Sequence, residues 1–242
     1  MFAFSIEFLS KKMYNIFVEK RVGVTKVKTN IIIVRHGESL GNSKRIMLGC
    51  TDLDMSQRGY EQAAATARFL ADEKIDAIYS SDLIRAYNTA VPHAELRGIK
   101  IITDERLREM YVGTWENRPF AEIAAEETEM YVAWREKFGT LVFPSGESIA
   151  DAGKRFHGAI VDIAEKCLGK TVLVTTHAGV LRSFWGQLLG LKLDEIGKSL
   201  PFATNASVSR LVYEDGKLTP LEYSTAHFLE EIGFLVPGNI GK

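Results

Sequence analysis

Two arginines and two histidines come directly after predicted strands, where their side chains could act on a single ligand. Arg35 and His36 follow a β-branched run at Ile31–Val34. Arg85 follows the second apolar run of the chain, and His177 follows a later one. Arginine presents paired N–H donors that match phosphate oxygens, and a neutral histidine can attack phosphorus through a ring nitrogen. The second histidine, if cationic, would stabilise the equatorial oxygens.

A carboxyl group follows the third predicted strand. Glu109 lies in the segment Leu107-Arg108-Glu109-Met110. A leaving alkoxide needs a proton, which a carboxyl group can donate. A carboxyl group near several cations normally ionises, so a role as the acid requires help from burial or from a dianionic substrate.

The elements that must position these side chains alternate between strand and helix. The other strands are predicted at Ile75–Tyr79, Lys100–Thr103 and Thr171–Thr175, with a terminal hairpin of Ser207–Tyr213 and Leu218–Tyr223. Helices are predicted at Gln57–Glu73, Asp82–Leu96, Phe120–Phe138, Glu147–Leu168 and Val180–Leu189. This order predicts an α/β fold, with a mostly parallel central sheet flanked by helices on both faces. Ligands of such sheets bind beyond the carboxyl ends of the strands.

Length and composition limit the classes of protein that fit. The 242 residues are expected to form one domain at residues 29–242, preceded by an extension at residues 1–28. With 30 basic and 31 acidic residues the net charge is −1, which argues against a nucleic-acid-binding surface. No apolar run approaches the roughly 18 residues of a membrane span. Cys50 and Cys167 form no disulfide framework, which favours a cytoplasmic location. No cluster of residues has metal-ligand spacing, and no cofactor is expected.

Some aromatic and histidine residues lie outside this set. Trp134, Phe138 and Phe143 are expected to pack in the core, with an apolar substrate pocket as the alternative. The helix that carries Trp134 is predicted to cover an edge of the sheet. His93 and His157 lie on predicted helices and are expected to be solvated.

Separated motifs between Ile31 and His227 resemble, in order, those of the histidine phosphatase superfamily, also called phosphoglycerate mutase-like. They are Arg35-His36-Gly37-Glu38-Ser39 with Asn42; Gly49, Asp52, Ser56, Gly59 and Gln62-Ala63; Ser80-Ser81-Asp82-Leu83-Ile84-Arg85-Ala86 with Thr89-Ala90; Leu107-Arg108-Glu109 with Gly113 and Trp115-Glu116; and Thr176-His177-Ala178-Gly179-Val180-Leu181-Arg182. Three positions depart from the family pattern. Met55 replaces a leucine, and Asn117 and Ala178 each replace a glycine.

The resemblance implies a three-layer α/β/α fold and a role for each matching residue. His36 would be the nucleophile that becomes phosphohistidine. Glu109 would donate the proton and then act as the base that activates water. The phosphoryl and substrate-binding residues would be Arg35, Arg85, His177, Asn42, Ser39, Gly49 and Ala178. The family uses no metal.

The resemblance leaves the reaction open, because mutases and phosphatases of the family share these residues. Phosphoglycerate mutases carry a longer insertion between the positions of Glu109 and His177, with extra basic residues for the substrate carboxylate. The segments Pro144–Ser148 and Trp115-Glu116 look more like the broad-specificity phosphatase branch. We therefore expect a metal-independent phosphomonoester hydrolase acting on a small phosphorylated metabolite, with a homodimer as one possible assembly. The alternatives are a 2,3-bisphosphoglycerate-dependent phosphoglycerate mutase and a catalytically weak module that binds a phosphorylated ligand.

Overall fold

One mixed sheet organises the part of the chain that the structure describes. The computed structural model describes residues 27–230 and 233, so the predicted extension at residues 1–28 lies almost wholly outside it. The strands are β1 (Thr29–Arg35), β2 (Ala77–Ser80), β3 (Ile101–Thr103), β4 (Thr171–Thr176), β5 (Val208–Glu214) and β6 (Lys217–Thr225). Their order across the sheet is β3-β2-β4-β1-β5-β6. Strands β1 to β4 pair in parallel, and β5 and β6 add an antiparallel edge, which confirms the mostly parallel sheet and the terminal hairpin.

Helices cover both faces of this sheet. They are α1 (Leu40–Lys44), α2 (Gln57–Phe69), α3 (Ile84–Arg97), α4 (Phe120–Glu126), α5 (Thr128–Glu136), α6 (Ile149–Lys166), α7 (Ala178–Leu188) and α8 (Leu193–Ser199). Serine hydroxyls cap three of them. Ser39 Oγ accepts from the Asn42 N–H at 3.0 Å, Ser56 Oγ from the Gly59 N–H at 3.1 Å and Ser148 Oγ from the Asp151 N–H at 3.0 Å. Gly98 ends α3 at a φ of 64°, a left-handed conformation that glycine adopts without a steric penalty.

Alternate residues of β1 pack into two separate cores. Ile31 and Ile33 lie in the core formed with α6 and α7. Ile32 and Val34 lie on the opposite face, in the core that includes residues of α2 and α3. A strand buried on both faces needs apolar residues at every position, which explains the continuous β-branched run. The three-layer α/β/α fold is therefore confirmed.

The predicted helix at Phe120–Phe138 is wrong in its continuity, because the structure has two helices there, α4 and α5. The backbone leaves the helical conformation at Glu127, which has φ −128° and ψ 46°. The Glu127 carboxylate accepts from Trp115 Nε1 at 2.8 Å and from Arg118 Nη1 at 2.6 Å. These contacts tie the break to the neighbouring loop. Phe138 and Phe143 pack in the core as expected.

The two histidines expected to be solvated differ. His157 is exposed on α6, as expected. The expectation for His93 is wrong, because its side chain is 0% exposed on α3. Neither ring nitrogen has a hydrogen-bond partner among the described residues. Burial, and then the positive charge of Arg97, lower the pKa of His93 to about 3, so the folded protein holds it neutral.

Because the His93 ring is buried, we expect the free energy of unfolding to fall as the pH is lowered. Between pH 6.5 and about 3 the unfolded chain binds a proton at His93 that the folded chain excludes, so stability falls as the pH falls. The slope is at most about 1.4 kcal/mol per pH unit. His93→Leu should stabilise the protein by about 1 kcal/mol at pH 7.5 in urea titrations, and by more at pH 5.5. His157→Leu is the matched control, and an equal gain for His93→Leu at both pH values would contradict this assignment.

Candidate active site

The carboxyl edge of the sheet brings the five predicted chemical residues together. Arg35 is the last residue of β1 and His36 follows it, while His177 directly precedes α7. Arg85 lies in the first turn of α3, and Glu109 in the loop after β3. Arg35, His36, Arg85 and Glu109 line one cavity. The His177 ring lies beside it, with its centroid 5.1 Å from that of His36.

His36 is held as a neutral imidazole with a defined tautomer. Its Nδ1 lies 2.6 Å from the Gly37 carbonyl oxygen, which can only accept, so Nδ1 carries the proton. Burial, followed by the charges of Arg85 and Arg35, lowers the pKa of His36 well below its usual range. The unprotonated Nε2 is therefore available as a nucleophile.

A neighbouring serine contacts the ring of His177. Ser81 Oγ accepts from the Leu83 N–H at 3.3 Å and lies 2.9 Å from His177 Nε2. The Ser81 hydroxyl hydrogen can then be donated to Nε2, which leaves the proton of a neutral ring on Nδ1. Nδ1 is buried and has no partner in the described part of the chain. Burial and the charge of Arg85 lower the pKa of His177 well below its usual range, so a neutral N–H donor replaces the cation considered from the sequence.

The two arginines are anchored by backbone carbonyls. Arg35 Nη1 donates to the Ala203 carbonyl, and its buried Nε has no partner within the described residues. Arg85 donates to the carbonyls of Gly49 at 2.7 Å and Thr51 at 2.8 Å. Burial lowers the pKa of Arg35 to about 10 and also lowers that of Arg85, yet both remain cations at neutral pH. Each guanidinium group keeps N–H groups for a ligand, because it has five in total.

A single carboxylate holds the loop that fixes Arg85. Glu116 accepts from the N–H groups of Cys50 at 2.8 Å and Thr51 at 2.9 Å, and from that of Gly49 at 3.3 Å. Gly49, predicted as a substrate-binding residue, thus contributes its carbonyl oxygen to Arg85. The sequence placed Glu116 in a family motif but gave it no role. The next residue, Asn117, has a φ of 59°, a left-handed conformation that asparagine tolerates in place of the family's glycine.

We expect Glu116→Gln to weaken phosphate binding through this loop. The glutamine NH₂ group would face backbone N–H donors, so the loop at Gly49–Thr51 would lose hydrogen bonds. Arg85 would then no longer be held in a fixed position by the carbonyls of that loop. The inhibition constant of inorganic phosphate should rise about tenfold, and the free energy of unfolding should fall by about 1–3 kcal/mol. Glu122→Gln, at an exposed carboxylate, is the control. A folded Glu116→Gln protein with an unchanged inhibition constant would show that Glu116 has only a structural role.

Glu109 is fixed against the start of α7. Its carboxylate accepts from the N–H groups of Gly179 at 2.9 Å and Val180 at 2.7 Å. A Cβ atom at position 179 would clash with Met110 Cε and would lie 2.9 Å from Glu109 Oε1, so glycine leaves room for this carboxylate. Arg155, which sequence reasoning missed, donates to the Glu109 carbonyl at 3.3 Å and pairs with Glu147 at 2.8 Å. Both contacts hold the Glu109 loop in place.

The remaining predicted binding residues lie around the same cavity. Ser39 and Asn42 line it, and together they form a capping box on α1. Asn42 Oδ1 accepts from the Ser39 N–H at 3.1 Å and from Asn205 Nδ2 at 3.1 Å, so the amide NH₂ of Asn42 is the group left to donate to a ligand. Ala178 also lines the cavity. Asn205 has no signal in the sequence that would single it out.

An aromatic wall forms the other part of the cavity. Trp134 stacks on Phe120 with ring centroids 5.6 Å apart, and it lies 5.6 Å from Tyr131 and 5.8 Å from Phe202. All four line the cavity, whose volume is about 910 Å³ including its opening to solvent. Trp134 is buried in the core as expected, and it also lines the cavity. Helices α4 and α5 carry three of the four aromatic residues of this wall.

No group of three or more His, Cys, Asp or Glu side chains within residues 27–230 and 233 is arranged to hold a metal ion. None of the helices in that part of the chain is long and apolar enough to cross a membrane.

Known proteins resemble this chain in sequence. The family model for the histidine phosphatase superfamily (branch 1) matches residues 31–225. Phosphoserine phosphatase 1 of Hydrogenobacter thermophilus is 33% identical over 165 residues, 68% of this chain and 78% of that protein. The probable phosphoglycerate mutase GpmB of Yersinia pestis is 34% identical over 189 residues, 76% of this chain and 85% of that protein.

The solved structures extend the likeness to the fold. A mycobacterial glucosyl-3-phosphoglycerate phosphatase in complex with VO3 matches with a TM-score of 0.73 and 29% identity, over 81% of this chain and 99% of that one. The matched family segment runs from β1 into β6 and contains all five residues gathered at the carboxyl edge of the sheet. The chain is therefore an enzyme that belongs to the histidine phosphatase superfamily.

Proposed function

We propose that the chain hydrolyses phosphate monoesters of small metabolites through a phosphohistidine formed on His36, without a metal. The observation that carries this proposal is the state of His36. It is neutral, it is protonated on Nδ1 by its contact with the Gly37 carbonyl, and it lies among buried arginines. A neutral ring with a free Nε2 next to two guanidinium groups is suited to attack a phosphate dianion.

The reaction has two displacements at phosphorus. In the first, His36 Nε2 forms a bond to phosphorus while the bond to the ester oxygen breaks, and the leaving alkoxide takes a proton from Glu109. In the second, water attacks phosphorus, Glu109 accepts its proton, and the N–P bond breaks to release phosphate. Arg35, Arg85 and the Nδ1–H of His177 would stabilise the charge on the non-bridging oxygens in both steps.

A phosphoglycerate mutase is the second candidate, because a relative at 34% identity carries that name. Assays in EDTA with p-nitrophenyl phosphate and with 3-phosphoglycerate separate the two reactions. We expect release of inorganic phosphate that EDTA does not diminish, since Arg35 and Arg85 supply the positive charge. Isomerisation of 3-phosphoglycerate that depends on bisphosphoglycerate, with little phosphate released, would establish the mutase. Binding without either reaction would favour the ligand-binding module. The homodimer and the cytoplasmic location stay predictions.

A further inference from the structure

We infer that the substrate's alcohol portion is an uncharged alkyl or aryl group, in contrast to an alcohol portion that carries a second anionic group. This inference rests on the proposed function and specifies its substrate class. It rests on the apolar part of the cavity lining, which we call the apolar section. Its lining residues are Ile46, Met47, Leu48, Phe120, Tyr131, Trp134 and Phe202.

Hydrogen bonds between two chain segments build this section. The Met47 N–H donates to the Arg118 carbonyl at 2.8 Å, and the Phe120 N–H donates to the Arg45 carbonyl at 3.0 Å. These bonds join residues 45–47 to the segment that leads into α4. The aliphatic side chains of one segment and the aromatic side chains of the other therefore line the same cavity in fixed positions. Apolar surface that stays open beside a phosphate site gains free energy when a ligand's apolar part covers it.

Charges are distributed unevenly along the cavity. Apart from the residues gathered at the strand ends, Arg45 is the one charged residue among the described residues that line the cavity, and it is exposed. The neighbouring Arg118 does not line the cavity, and it pairs with Glu122 at 2.8 Å and with Glu126 and Glu127 at 2.6 Å. A carboxylate placed against the rings of Trp134 and Phe202 would lose part of its hydration, which those apolar ring faces would not replace. This cost separates the inferred substrate from phosphoserine and 3-phosphoglycerate.

A series of straight-chain alkyl phosphates tests the inference, because ethyl, butyl and hexyl esters have similar leaving groups and differ in apolar length. If the alkyl group of the substrate enters the apolar section, kcat/KM should rise by up to about fourfold per methylene and at least about tenfold from ethyl to hexyl phosphate. Hexyl phosphate should exceed phosphoserine by at least about tenfold. Alkylphosphonates of the same lengths should show inhibition constants that fall in parallel, which measures binding without chemistry and needs no variant.

Phe120→Ala should flatten this dependence on chain length, because it removes one face of the aromatic wall. Phe69→Ala removes an exposed aromatic side chain from α2, outside the cavity, and serves as the matched control that should keep the dependence. A flat series for both esters and phosphonates would overturn the inference, as would a preference for phosphoserine that Arg45→Ala abolishes. In both cases phosphate release would leave the proposed function standing. Failure to release phosphate from any ester would overturn the proposed function, and the inference with it.

Discussion

Replacing His36 with alanine should lower kcat for phosphate release by about 10⁴-fold or more, the scale of loss seen when an enzyme loses its nucleophile. The variant cannot form the N–P bond, because it lacks the ring nitrogen that attacks phosphorus. Arg35 and Arg85 keep their carbonyl anchors, so inorganic phosphate should still bind. The expected result is therefore loss of turnover with retained phosphate binding, measured by steady-state kinetics and by calorimetry.

The control for this variant is His157→Ala, which makes the same change at an exposed position on α6. It should keep the wild-type rate. Thermal unfolding of both variants checks that the fold persists. A His36→Ala protein that keeps kcat within tenfold of the wild type would contradict the role of His36 as nucleophile.

Glu109→Gln should lower kcat/KM for alkyl phosphates by about 10²- to 10³-fold, because an alkoxide needs a proton as it leaves. The loss for p-nitrophenyl phosphate should be below about tenfold, since nitrophenolate leaves without protonation. With that substrate kcat should still fall, because water attack on the phosphoenzyme has lost its base. Rapid mixing should then show a burst of nitrophenolate followed by slow turnover.

Gly179 and Val180 donate to different oxygens of Glu109, so glutamine keeps an acceptor for only one of the two N–H groups. Thermal unfolding of the variant checks that the fold persists. Glu95→Gln, at an exposed carboxylate on α3, is the matched control. An equal loss of kcat/KM on alkyl and nitrophenyl esters would show that Glu109 acts only by holding α7, which would contradict its role in proton transfer.

The sequence predicted the parts of the fold and site that depend on local pattern. The β-branched run of β1 is a local signal for a strand that is buried on both faces. Parallel strands bring their carboxyl ends to one edge, so residues directly after strands meet there. Arg35, His36 and His177 occupy such positions, which is why the site could be assembled without coordinates.

The remaining features depend on contacts between distant segments, which local pattern does not specify. Phe202 reaches the same wall as Phe120 and Trp134 only after folding. The break at Glu127 follows contacts with Trp115 and Arg118, which lie outside the predicted helix. The spacing of apolar residues in the predicted helix indicates neither the position of Phe202 nor the break at Glu127. The role of Glu116 likewise appears only when its loop contacts are seen.

The most direct test of the account is to trap the phosphoenzyme. The wild-type protein is mixed with a ³²P-labelled phosphomonoester and quenched with alkali, in which phosphohistidine survives, and the labelled peptide is sequenced. We expect a label that is stable to alkali, labile to acid, attached to His36 and missing from His36→Ala. A label on another residue would contradict the role of His36 as nucleophile. Phosphate release by Glu109→Gln without any trapped label would also contradict it, because slow hydrolysis should make the phosphoenzyme accumulate.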